Sequence, residues 1–557
     1  PEVHGDNYRP ESEFTGMQFG LYAQDKWDVT DQLRLTLGLR VDVPYLPDDP
    51  SYNPEVEEAF GFSTSEVPET QPLWSPRFGF NFSENLLGDE VETQIRGGTG
   101  IFSGRPPFVW LSNQYATTGI DFFQVNPGAG NNISPDAAYT NENGDYDRSN
   151  SCFVGTGNPE EAPKPTGAGD LPGAGACGDI LGTATSAEVA LTDPDFKYPQ
   201  QFRASLGIDQ ELPFGNLIAT LEGQYSTTIN GVSARNLNIE QTGETAYGRP
   251  LYNPQVSDQF QDVILLENAN EGYEYFLTAE LAREARTGVN WSVAYNYNRA
   301  RSIFNGSFDV ASSLWQQNFA VDPNDPELGT AEYEGRHRVI VTGNYQFSWG
   351  DRFSTTVGAF FETRSGQPIT WIYGSNSSGQ GTDANGDGFR FNDLPYVPED
   401  ERDVVVASGN WDLMDDFISS NEALDEARGG FVNRYTDTAP WRTIFDLKVT
   451  QRIETIDGQR LELIANLENV LNLLNDEWGR IRFTPFNNQF AWGLNGYVTE
   501  GDVGSRIGGR IVTQDDLGKP IVNFEESLVR DKLGDRLYST ASTASRWKLQ
   551  LGVRYVF

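Results

Sequence analysis

The chain ends in Trp547-Lys548-Leu549-Gln550-Leu551-Gly552-Val553-Arg554-Tyr555-Val556-Phe557. Side chains of an extended strand alternate between its two faces. Trp547, Leu549, Leu551, Val553, Tyr555 and Phe557 therefore share one face, and Lys548, Gln550, Gly552 and Arg554 share the other. Two settings suit such a strand. One is a sheet with an apolar medium on one side and water on the other. The second is the edge of a soluble sandwich.

Working outward, the same pattern recurs along the chain. Met17, Phe19, Leu21, Ala23, Trp27 and Val29 share a face broken only by Asp25; after a polar turn, Leu33, Leu35, Leu37, Leu39 and Val41 alternate with Arg34, Thr36, Gly38, Arg40 and Asp42. Further pairs begin at Phe78 and Val91, Phe202 and Leu217, Tyr273 and Trp291, Val339 and Phe353, and Phe445 and Leu461. Six hairpins plus the terminal strand predict about thirteen strands. Connections within hairpins are a few residues long, whereas those between hairpins are many times longer. Short turns on one rim and long loops on the other belong to an all-β transmembrane antiparallel barrel with long extracellular loops. Trp27, Phe82, Trp291, Phe347, Phe353, Tyr555 and Phe557 cluster toward the short turns, where an interfacial girdle is expected. With short turns on the periplasmic side, the Met17 strand runs inward. An outward strand must precede it, and barrels of this type have an even number of strands.

Composition narrows the classes. The 557 residues carry 80 acids against 40 bases, a net charge of -40. An acidic surface disfavours nucleic acid, which calls for a basic footprint. About seven of the bases are lysine, and many acids with few lysines suggest a salt-adapted protein that loosens at low salt. No apolar run reaches the roughly 18 residues of a spanning helix. With two His and two Cys, a histidine or thiolate metal centre is disfavoured. Cys152 and Cys177 share one Gly/Pro-rich loop, where a disulfide is expected. No signal peptide stands at Pro1, so the chain reads as processed or incomplete at its front.

Several stretches carry a family resemblance: Phe19-Gly20-Leu21-Tyr22-Ala23-Gln24-Asp25-Lys26-Trp27, Pro76-Arg77-Phe78-Gly79-Phe80, Arg96-Gly97-Gly98-Thr99-Gly100, Asn466-Leu467-Glu468-Asn469-Val470-Leu471-Asn472 and the terminal strand. Together they resemble TonB-dependent outer-membrane receptors. Arg105-Pro106-Pro107-Phe108-Val109-Trp110 and Ser365-Gly366-Gln367-Pro368 resemble the Oar-like branch. The resemblance implies that residues 1–557 supply the last thirteen strands of a 22-stranded barrel, with plug domain and N-terminal strands outside this sequence. It also implies a TonB-type energy-coupling partner acting through that plug, and import of a peptide, glycan or chelate.

The sharpest local constellation is Asp383-Ala384-Asn385-Gly386-Asp387-Gly388-Phe389-Arg390-Phe391-Asn392-Asp393. Oxygen side chains at alternate positions followed by glycine match the start of a calcium loop, with Asp383, Asn385, Asp387, the Phe389 carbonyl and Asp393 as candidate ligands. Leu394 stands where such loops carry Glu. Trp110, Tyr115, Phe122 and Phe123 are candidates for ligand contact at the barrel mouth, or else pack their own loop. Acidic tracts such as Pro398-Glu399-Asp400-Glu401 would favour cationic or neutral ligands. No nucleophile elbow, histidine metal set or phosphate loop is present, so no enzymatic activity is expected. Two other readings compete with import: an adhesion or structural barrel whose loops bind a partner protein, and a soluble glycan-binding sheet protein.

Overall fold

The computed structural model describes residues 13–86, 88, 91–104, 108–120, 187–253, 255–284, 288–304, 310–374, 381–456, 458–524 and 538–557. Thirteen strands form one antiparallel wall: β1 (Met17–Asp28), β2 (Leu33–Tyr45), β3 (Leu73–Glu84), β4 (Thr93–Ser103), β5 (Gln200–Glu211), β6 (Leu217–Ile229), β7 (Tyr273–Arg283), β8 (Val289–Ser302), β9 (His337–Ser348), β10 (Phe353–Arg364), β11 (Arg442–Glu454), β12 (Arg460–Glu468) and β13 (Lys548–Val556). Each pairs with the next in the chain, and a two-residue strand, Gly329–Thr330, adds to the end of β8. The count and the hairpins are those the alternation predicts. So is the segregation of connections: 29–32, 85–92, 212–216, 284–288, 349–352 and 455–459 lie on one rim, and 46–72, 104–199, 230–272, 303–336, 365–441 and 469–547 on the other.

Register turns the alternation into a continuous belt. Leu21 pairs with Val41 and Leu37 with Phe78. Ile208 pairs with Leu221, Val293 with Val341, Val357 with Val449 and Leu463 with Val553. These side chains stand in the open: Leu21 and Leu551 are each 74% exposed and Leu221 59%. A belt of exposed Leu, Val and Phe running right round a sheet is far larger than the apolar patches of water-soluble proteins, and it suits lipid. Asp25 interrupts the belt opposite Leu37, as the sequence implies. Near the short turns Trp349 stacks on Phe353 at 4.7 Å, and Trp27, Tyr555 and Phe557 are exposed. The Phe80 ring lies over Gly97 on the next strand, and a Cβ at Gly97 would come within 2.7 Å of it. Glycine there lets the aromatic cover the neighbouring backbone.

Little hydrophobic burial lies in the wall itself. The buried cores are in the described parts of the long connections, which fold into a cap above the outer rim. One core joins Trp371, Tyr373, Met414, Phe417, Trp492 and Phe524, drawn from 365–441 and 469–547. A second joins Leu73, Leu111, Phe196, Ile264, Leu266 and Trp315. Five short strands cross-link the first region, including a parallel pairing of Pro368–Gly374 with Asn488–Tyr497. The entry to this region is tight: a Cβ on Gly366 would lie 1.9 Å from the Ala439 carbonyl oxygen, so only glycine fits there.

Candidate functional site

The inner face of the wall carries the residues that alternate with the lipid belt. They are polar or small, and the charged ones among them form ion pairs across or along the strands, which stabilise neighbouring strands. Arg96 donates to Asp209 at 3.0 Å and to Glu222 at 2.9 Å, tying β4, β5 and β6 together. Arg338 donates to Glu362 at 2.7 Å across β9 and β10. Arg40 and Asp42 pair along β2 at 2.7 Å. Near the short-turn rim, Glu462 is enclosed by Arg452 at 3.4 Å, Arg460 at 3.1 Å and Arg554, the last through a charge-assisted hydrogen bond from β13. A polar inner face of this extent bounds a water-filled lumen.

In the cap, Asp383, Asn385, Asp387, Phe389 and Asp393 do come together, in a loop held by its own donors. Asp383 accepts from the amides of Gly386 at 2.7 Å and Gly388 at 3.0 Å. Asp387 accepts from the Phe389 amide at 2.7 Å and from Asn385 Nδ2 at 3.0 Å. Asp393 accepts from the Ala384 amide at 2.8 Å and from Arg249 Nη1 at 2.7 Å. All six carboxylate oxygens therefore have protein donors. A hard cation here would have to take them from those amides and from a guanidinium. Among the described residues no three His, Cys, Asp or Glu side chains converge as a metal set. Phe389 enters the loop through its amide nitrogen, whereas the sequence pattern assigns it a carbonyl role. Burial, reinforced by the Asp383 charge, pushes Asp387 up to about 6.

Arg249 is the residue that sequence reasoning passes over. It is fully buried, with its guanidinium 5.0 Å from the Phe431 ring centre, and it also donates to the Leu394 carbonyl. It joins the 230–272 connection to the 365–441 connection. Arg434 acts similarly, donating to Asn318 Oδ1 at 3.1 Å and to the Ser302 carbonyl. Burial lowers it to about 10. A charged residue in a loop carries no local signal that it will be buried, so neither could be found from spacing.

Of the aromatic candidates, Tyr115 packs inside the cap. It lies on a helix, Phe108–Ala116, its ring stacks on Phe14 at 4.4 Å, and its hydroxyl donates to the Asp48 carbonyl at 2.6 Å. Of the two roles the sequence leaves open for it, these contacts are those of packing. Trp110, on the same helix, borders a cleft of about 290 Å³ between cap and rim, together with Gln201, Tyr273, Glu274, Arg301 and Tyr333. Phe122, Phe123, Cys152 and Cys177 lie outside the described residues.

An antiparallel wall with an apolar outer belt, a charged inner face and all its long connections on one rim defines a transmembrane β-barrel. The pattern of the outer membrane beta barrel domain family matches residues 2–477, and the chain belongs to that family. It is a bacterial outer-membrane protein whose long loops face the cell exterior. No curated protein matches the chain. Among solved structures, it is similar to a ferric enterobactin receptor of Pseudomonas aeruginosa, with 13% identity and a TM-score of 0.38 over 86% of this chain and 41% of that one. It is also similar to the FrpB iron transporter of Neisseria meningitidis, with 10% identity and a TM-score of 0.34 over 83% and 42%. A third is the copper transporter OprC, with 9% identity and a TM-score of 0.36 over 85% and 44%. The chain spans less than half the length of each of these structures.

Proposed function

We propose that this protein is part of an outer-membrane receptor that captures a ligand under its folded cap and imports it through the barrel lumen. The observation that carries this reading is the width of the wall. About eight strands make a barrel whose interior side chains fill it, whereas thirteen strands here present an inner face of polar and charged groups. A purely adhesive barrel does not call for so wide a lumen. Both edges of the wall, β1 and β13, are unpaired with each other among the described residues, and lipid does not tolerate an open edge. The reading therefore includes further strands that close the wall, in keeping with the C-terminal part of a 22-stranded, TonB-dependent, Oar-like receptor with a plug that gates the lumen. It also includes salt adaptation, on the strength of the -40 net charge.

The test is solute depletion. Spent medium from the parent strain and from a strain lacking the receptor is compared by mass spectrometry, with and without a protonophore. Import predicts a peptide, glycan or chelate consumed only by the energised parent. Loss of surface attachment with no difference in any solute would support the adhesion reading instead.

A further inference from the structure

Three arginines stand side by side near the outer end of the lumen. Arg338 on β9 is in register with Arg364 on β10, and Arg364 is in register with Arg442 on β11. Their neighbours Val339, Thr363 and Thr443 belong to the outward face, so all three arginines face inward. Neighbouring strands are about 4.8 Å apart, and like charges directly opposite one another are destabilising. One carboxylate answers them: Glu362, 10% exposed and bonded to Arg338 at 2.7 Å. On the flank beyond Arg338 the partner in register is the amide side chain of Asn296. The next acid along β11, Asp446, accepts from the Asn469 amide. Among the described residues, Arg364 and Arg442 have no ion-pair partner, and Arg442 Nε is buried without a hydrogen-bond acceptor. The β9–β11 ends carrying the row adjoin the Gly366 entry into the cap, so the row lies at the outer end of the inner face, beneath the cap.

We propose that Arg338, Arg364 and Arg442 form an oxyanion subsite for a carboxylate- or phosphate-bearing solute. Guanidinium forks in a row match the paired oxygens of such groups, and charge-assisted bonds of this kind are the strong ones. The subsite deepens the import reading and rests on it for its place in a ligand path. It also sharpens what the acidic loop tracts suggest: the outer surface is negative, while the mouth of the lumen holds unneutralised positive charge.

The test uses the protein extracted from outer membranes into detergent micelles, titrated calorimetrically at low salt with citrate and separately with inorganic phosphate. Binding of at least one probe is expected, weakened roughly tenfold or more in Arg364→Gln/Arg442→Gln. The probe that binds tells carboxylate from phosphate recognition. Arg34→Gln, which removes a cation at the opposite rim, should leave binding unchanged. Heat-modifiable gel migration establishes that each variant is folded, and the single Arg364→Gln serves should the double variant fail to assemble. Absence of binding by both probes, or equal binding by wild type and the Arg364 variants, overturns the proposal. Oxyanion binding without solute depletion in cells would sink import alone. Depletion without oxyanion binding would sink the subsite alone.

Discussion

Replacing Glu462 with alanine tests how the last strand is held. Glu462 is only 1% exposed and is the shared partner of Arg452, Arg460 and Arg554. Removing one member of a buried ion pair costs about 3–5 kcal/mol, whereas an exposed pair contributes about 0–1 kcal/mol. Here the acid is covered, but its arginines are 40%, 37% and 62% exposed and face water. Screening therefore places the loss near 2–3 kcal/mol. The loss should be local, because Arg554 is the inward cation of β13 aligned with Glu462. With each 1.4 kcal/mol worth about tenfold, exchange of the β13 amides that pair with β12 should accelerate about 30–150-fold. Hydrogen exchange of the protein in micelles reads this directly, with β3–β5 amides as the internal reference. Glu462→Gln keeps an acceptor without the charge and should fall in between. Unchanged exchange in β13, or an increase spread evenly over the wall, would refute the account of Glu462 as a strand clamp.

Leu206→Arg puts a charge in the middle of β5 on the lipid face, where Leu206 is 58% exposed; a cost of about 2–4 kcal/mol is expected, seen as a lower yield of heat-modifiable barrel in outer membranes. Arg249→Met strands the buried Asp393 carboxylate and should cost the cap about 3–5 kcal/mol; protease should then cut within 381–441 while the wall stays folded. Asp387 is raised from 3.8 to about 6 in the folded cap, so the folded state binds the proton more tightly than the unfolded one. Its contribution to stability is then greatest below about pH 4, is lost as pH rises to about 6, and is flat above that, which cap proteolysis across that window would show. Calcium at millimolar concentration is expected to leave cap proteolysis unchanged, because the loop's carboxylates already have donors; protection by calcium that Asp383→Asn/Asp387→Asn removes would establish a cation site instead.

The wall was legible because lipid and water impose period two on every strand, and that signal is local. Leu33–Val41 shows it without any knowledge of what the strand pairs with. The short turns then fix each hairpin, so Arg338 and Arg364 can be aligned from sequence once the turn between them is known. Arg442 joins them from beyond the 365–441 connection, and no periodicity spans that gap. The cap was illegible for the same reason. Trp371 meets Phe417 edge-on at 5.7 Å and shares a core with Trp492, contacts set by tertiary packing and not by neighbours in sequence. The 383–393 loop shows both sides of this. Its turn chemistry was visible in its Asp, Asn and Gly residues. The guanidinium that binds Asp393 comes from 144 residues away.

The cap also governs how the protein must be made. Its buried tryptophans and leucines lie in segments that alternate along the chain with wall strands, and its cores join more than one such segment, so they close fully only when the strands between those segments are in place. Every cap segment must pass through the envelope as an open chain, carrying Trp315, Trp371 and Trp492 in contact with water or with escort proteins. It then folds on the far side of the membrane. The burial of those side chains therefore contributes driving force to the last stage of assembly, on the outer side of the wall. A cap weakened in its cores would fail first as stalled biogenesis, before any ligand was met.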